Sequence, residues 1–166
     1  MITSLEVLAE LLTDAVADAS CDPNVFVTAG RPAAPSDEGR ECQTVIYVFG
    51  SNVADLNQDD QNACVVRSRW EMQYEIWTCY PEGWEDQIGS EDAETAAQCL
   101  YELMALAWCA LVAAKDSGDP FGECDYVELQ PLETQQRLGQ AISALGGVVV
   151  PYECPVPEVV ESPSSP

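Results

Sequence analysis

The sequence predicts an α+β domain: an antiparallel β-sheet packed by an N-terminal amphipathic helix and one long central helix. Three observations carry this. Residues 3–19 and 90–115 repeat apolar residues at helical spacing. Residues 64–80 alternate apolar and polar side chains over the longest strand signal in the chain. The elements run helix, strands, helix, strands, without the interleaving that builds βαβ units.

In the first helix, Thr3 and Glu6 form a capping box. Leu5, Leu8, Leu12, Ala15, Val16 and Ala19 follow on one face, with Glu6, Glu10, Asp14 and Asp18 opposite. Cys21-Asp22-Pro23-Asn24 ends the helix. Val25-Phe26-Val27 is a short strand, followed by Ala29-Gly30-Arg31-Pro32 and a loop to about residue 41. Residues 42–50 are a β-branched and aromatic strand, and 51–63 a polar loop or hairpin tip. In 64–80, Val66, Trp70, Met72, Tyr74 and Ile76 line one face. Arg67, Arg69, Glu71, Gln73 and Glu75 line the other, which is expected to be wet. After a loop at 81–89, Ser90 caps the long helix, with Glu91, Asp92 and Glu94 in its first turn. Its stripe is Ala96, Leu100, Leu103, Ala107, Leu111 and Ala114, widened by Ala97, Met104 and Trp108, and Lys115 and Gly118 mark its end. Strands at 124–132 and 147–154 close the domain, separated by a polar loop. One domain thus covers 1–154, and a disordered Pro/Ser-rich tail covers 155–166.

Apolar residues make up 47% of the chain, enough to exclude a disordered acidic tail. No stretch approaches the roughly 18 apolar residues of a membrane span, and the N-terminus lacks the basic and apolar regions of a signal peptide. Twenty-nine acidic residues face six basic ones, a net charge of −23. The cations Arg31, Arg40, Arg67, Arg69, Lys115 and Arg137 are scattered, so no patch exists to neutralise phosphates. An anionic membrane would repel the chain as well. Eight cysteines show no Cys-x-x-Cys spacing, and no histidine is present. Without a secretory signal, eight reduced thiols are expected, with Cys99 and Cys109 slow to react on the long helix.

The chemistry points away from catalysis. Without histidine, Cys-His and Ser-His nucleophiles are excluded. The single lysine, Lys115, sits where a helix ends and its charge suits the helix C-terminus. No phosphate-cradling glycine loop is present. Glu82, Glu85 and Asp86 near Trp77, Tyr80 and Trp84 suggest a sugar cleft superficially, but also read as a solvated loop. Asp55-Leu56-Asn57-Gln58-Asp59-Asp60 opens like a calcium loop, then has Asp60 at the sixth position and Val66 at the twelfth instead of Gly and Glu. No catalytic, cofactor-binding or metal-ligating residue is assigned.

Four segments carry a resemblance: Val25-Phe26-Val27-Thr28-Ala29-Gly30-Arg31-Pro32, Cys42-Gln43-Thr44-Val45-Ile46-Tyr47-Val48, Trp77-Thr78-Cys79-Tyr80-Pro81 and Val127-Glu128-Leu129-Gln130-Pro131-Leu132. With the element order over residues 3–154, they resemble tail terminator proteins of long-tailed bacteriophages, particularly those of actinobacterial hosts. The 133–141 stretch departs from that pattern in having little glycine. The resemblance implies a non-enzymatic α+β subunit assembled in the bacterial cytoplasm and carried in the virion neck. It closes into a homomeric ring, usually a hexamer, that caps the tail tube. Its partners would be further copies, the major tail tube protein and the head–tail connector or stopper, with DNA passing through the lumen. An adjacent neck subunit, or an acidic regulatory protein that mimics DNA charge, are the alternatives.

Overall fold

The structure is a computed structural model and describes residues 2–32, 43–55, 65–79, 91–117, 128–136 and 141–155. Helix α1 spans Ile2–Ala15, followed by strands β1 (Asn24–Thr28), β2 (Val45–Asp55) and β3 (Val65–Cys79). Helix α2 (Glu91–Ser117) precedes β4 (Glu128–Gln136) and β5 (Ala141–Pro155). The sheet order is β1-β2-β3-β5-β4. The α+β class holds. Three of the four pairings are antiparallel, but β1 runs parallel to β2. The first strand therefore departs from the expected all-antiparallel sheet.

Both helices pack on one face of the sheet. Leu5, Leu8, Leu12 and Val16 of the first helical segment meet Leu100, Leu103, Ala107 and Leu111 of α2. Together they cover Ile46, Val48, Met72, Tyr74, Ile76, Ala144 and Val148, which alternate along three central strands. The predicted stripe of α2 is thus its buried side, except that Trp108 is exposed. Within Ala93–Ser117 an 18-residue window has a mean hydropathy of 1.5, so the helix is long and apolar enough to cross a membrane by length and composition. This corrects the expectation that no stretch approaches the length and apolarity of a span. Here its inner side is the core, and Glu94 and Asp116 lie exposed outside.

Strand lengths differ from expectation for local reasons. β2 continues past Gly50 to Asp55 because a bulge between Gly50 and Asn52 absorbs Ser51, whose hydroxyl donates to the Glu71 carbonyl at 3.1 Å. Residues 51–55, expected in a loop, are therefore strand. β4 passes through Pro131, which has no N–H for the ladder, because the register shifts between Gln130 and Glu133. β5 begins at Ala141, six residues before its predicted start. Ile142 and Ala144 face the core, but Ser143, Ala144 and two glycines dilute the strand signal. The Ser90 cap, the 81–89 loop, residues 124–127 and the tail beyond 155 lie outside the described residues.

The two glycines allow close approach. Tyr74 of β3 lies directly opposite Gly146, and a Cβ there would come 2.5 Å from Tyr74 Cζ. A Cβ on Gly147, on the other face, would collide with the Gln130 side chain of β4.

The cysteines correct an expectation. Cys21, just past α1, is disulfide-bonded to Cys99 on α2, with Cα atoms 6.0 Å apart. Helix packing delivers the pair at a separation a disulfide accepts, which no spacing in the sequence announces. Ser20, beside it, donates from its backbone N–H and its hydroxyl to Glu102, one turn along α2. Cys79 is disulfide-bonded too. Cys109 is a free thiol and exposed, so it should react quickly rather than slowly.

Gly146→Ala should lower stability by about 1–3 kcal/mol, because the Tyr74 ring must move within a packed layer. Gly30→Ala, with nothing within 4 Å of its would-be Cβ, should change it by no more than about 0.5 kcal/mol. Urea unfolding measures both. The Tyr74 hydroxyl is buried without a hydrogen-bond partner among the described residues, and burial pushes its pKa well above the usual tyrosine range. A raised folded-state pKa stabilises the fold below the unfolded value of about 10 and ceases to as pH climbs through the folded one. Tyr74→Phe should therefore leave neutral-pH stability equal or higher and reduce the loss of stability above about pH 10. An unchanged alkaline limb would refute this.

Candidate assembly surface

A sheet of five strands has two edges, here β1 and β4. The β1 edge is built by the chain's sharpest punctuation. Asp22 adopts a left-handed conformation at φ 39° before Pro23, and the chain enters the strand with Asn24 N–H donating to the Thr44 carbonyl. From Pro23 to Gly30 no residue is charged. Natural edges are usually protected by charge, proline or a bulge, and β1 has none of these within its five residues. Phe26, on the face away from the helices, is 48% exposed, and Val27, on the helix face, is 44% exposed. Phe26 leans on Tyr47 of β2 with ring centroids 6.2 Å apart. The β4 edge differs, carrying Glu128, Pro131, an exposed Glu133 and a bulge.

The segment leaving β1 is tied down across the sheet. Arg31 Nε and Nη2 donate to the two carboxylate oxygens of Glu75 at 3.0 and 2.7 Å, and Ser143 Oγ donates to Glu75 Oε1 at 3.1 Å. Glu75 sits on β3 and is fully buried, whereas the Arg31 side chain keeps 35% of its surface. The hydrogen-bonded carboxylate raises the Arg31 pKa, against the opposing pull of burial. The expected wet face of β3 is therefore dry at Glu75. Trp77 on the same face is buried as well, and it clusters with Val45 and Tyr47. Alternation placed Glu75 on the correct face but could not reveal that an arginine 44 residues away neutralises it.

A second exposed apolar strip runs along the outside of α2, where Tyr101, Ala105, Trp108 and Cys109 share a side at helical spacing. Two further apolar surfaces, the inner face of α1 and the length of β3, are already occupied. The apolar face of α1 is core, and β3 has neighbours on both sides.

Most of the candidates for chemistry lie outside the described residues. Glu82, Trp84, Glu85 and Asp86 of the suggested sugar cleft lie outside the described residues, and Trp77 is interior. Asp55 ends β2, paired with Ser68, and the rest of the calcium-like loop to residue 60 is undescribed. Lys115 lies in the last turn of α2, as expected. Among the described residues no group of three or more metal-ligating side chains forms. An open depression of about 300 Å³ beside the β4 bulge is lined by Gln73, Gln130, Glu133 and both glycines of β5, without a nucleophile or cation.

Arg31→Ala leaves a buried carboxylate without its cation and should cost about 3–5 kcal/mol in denaturant unfolding. Arg31→Lys, which loses the bidentate geometry, should fall between. A cost below about 1 kcal/mol for Arg31→Ala would mean that the pair is not the anchor described.

Neither the protein-family models nor the curated proteins compared with this chain give a match.

Proposed function

We propose that this chain is a structural subunit of a bacteriophage neck, a ring-forming tail terminator or its immediate neighbour, acting through self-association. The observation that carries the reading is the uncharged, unprotected β1 edge, with Phe26 and Val27 exposed, on a chain of net charge −23. A like-charged copy approaching such a protein meets least repulsion where charge is absent. The acidic balance fits a ring that DNA must traverse without being gripped, because cationic walls would hold phosphate. The ion pair between Arg31 and Glu75 adds to this, since it commits Arg31, one of only six cations, to the protein's own buried carboxylate. The further partners on this reading are the major tail tube protein and the head–tail connector, and the site of action is the virion.

Subunits of one sign repel when they close into a ring. At about 0.15 M salt the screening length is near 8 Å, so added salt should favour assembly. Sedimentation of the full chain across a salt series should show a ring that grows in population with salt, and no binding to double-stranded DNA at any salt. A monomer throughout, with or without tail-tube protein, would overturn the ring and favour the acidic decoy of a basic partner.

A further inference from the structure

The two edges that the sheet has among the described residues differ in charge, and they run in opposite directions. β1 is parallel to β2, and three antiparallel steps then lead through β3 and β5 to β4. Copies repeated in one orientation around an axis would therefore bring β4 of one antiparallel to β1 of the next. That arrangement continues the predominant pairing of the sheet.

We infer that the ring is joined edge to edge, with β4 of each copy pairing with β1 of its neighbour. This rests on the ring reading above and specifies its contact. Charge selects this pairing over the alternatives. A β4–β4 contact would bring two copies of the same edge together, with the exposed carboxylate of Glu133 on both sides, and like charges across a strand pair are destabilising. A β1–β1 contact is self-complementary and closes as a two-fold dimer, leaving both β4 edges unused. A β4–β1 contact sets an acidic edge against a neutral one. It is also heterologous, as a cyclic ring requires.

The register shows which side chains would meet. Phe26, Tyr47, Glu75, Leu145 and Glu133 form one continuous row across the five strands. Phe26 and Glu133 are thus the two ends of one row, on the same face of the sheet. Beyond the bulge at Pro131, β4 offers the regular stretch Glu133–Gln136, comparable in length to the five-residue β1. In the joined sheet Phe26 of one copy faces the Glu133 region of the next.

The test is a charge exchange in the full chain, read by sedimentation at a salt concentration where the wild type assembles. Phe26 is half exposed, so Phe26→Glu should fold, as circular dichroism will check. It should raise the half-assembly concentration at least about tenfold by placing a second carboxylate opposite Glu133. Adding Glu133→Lys to Phe26→Glu should restore assembly, whereas Glu133→Lys alone should lower the salt needed. Should Phe26→Glu misfold, that last variant, changed at an exposed position, carries the test. Undiminished assembly of folded Phe26→Glu overturns edge pairing through β1 and leaves the ring standing. Loss without rescue by Glu133→Lys overturns the β4 half of the contact. A wild type monomeric at every salt concentration overturns the ring itself.

Discussion

Twenty-three net negative charges on 166 residues restrict every surface this chain can bury. Desolvating a carboxylate without a partner is costly enough that such groups stay wet or find a cation. Core formation here follows that restriction closely. The buried layer between the helices and the sheet is built from leucine, isoleucine, valine and alanine with Met72, Tyr74 and Cys99, and the acidic residues of α1 lie on its outer side. The one carboxylate shown buried is Glu75, held by two donors from Arg31 and one from Ser143. Its partner comes from the stretch just past β1, so neutralising that charge also fixes the exit of the edge strand. Electrostatics and edge geometry are thus coupled through one side chain.

Much of the fold was legible because its signals are local. The stripe from Ala96 to Ala114 and the alternation Met72, Tyr74, Ile76 are periodicities, and both elements form where those periods place them. What escaped was long-range. The parallel direction of β1 depends on the path back to β2, and the pairing of Arg31 with Glu75 joins segments far apart in sequence. Cys21 meets Cys99 only because α1 crosses α2. Strand limits were missed wherever a bulge rescued a poor strand former, as at Gly50 and Pro131. The edge surface was half legible: the uncharged run from Pro23 to Gly30 is visible in the sequence, but its place at the rim of the sheet is not.

Edges also bear on solubility. An open strand is a template for uncontrolled pairing. This protein has one well-defended edge in β4 and one undefended edge in β1. Such asymmetry limits like-with-like growth at β4 through repulsion, and the net charge of the whole chain slows encounters in general. A neutral strip on a highly charged body concentrates association at one place.

The Cys21–Cys99 bond encloses 78 residues of sequence separation, and β1, β2 and β3 all fall inside the closed loop. In the chain-entropy account a loop of that size is worth about 4.5 kcal/mol. The bond has a second effect, on damage. A single peptide cleavage anywhere between those two cysteines, including residues 33–42, 56–64 and 80–90 that connect the elements, yields two pieces still joined covalently. Whichever of the three strands fall on the N-terminal piece would stay tethered to α2 after one proteolytic cut. In the oxidised state the protein would tolerate a nick there that would release a fragment from the reduced chain.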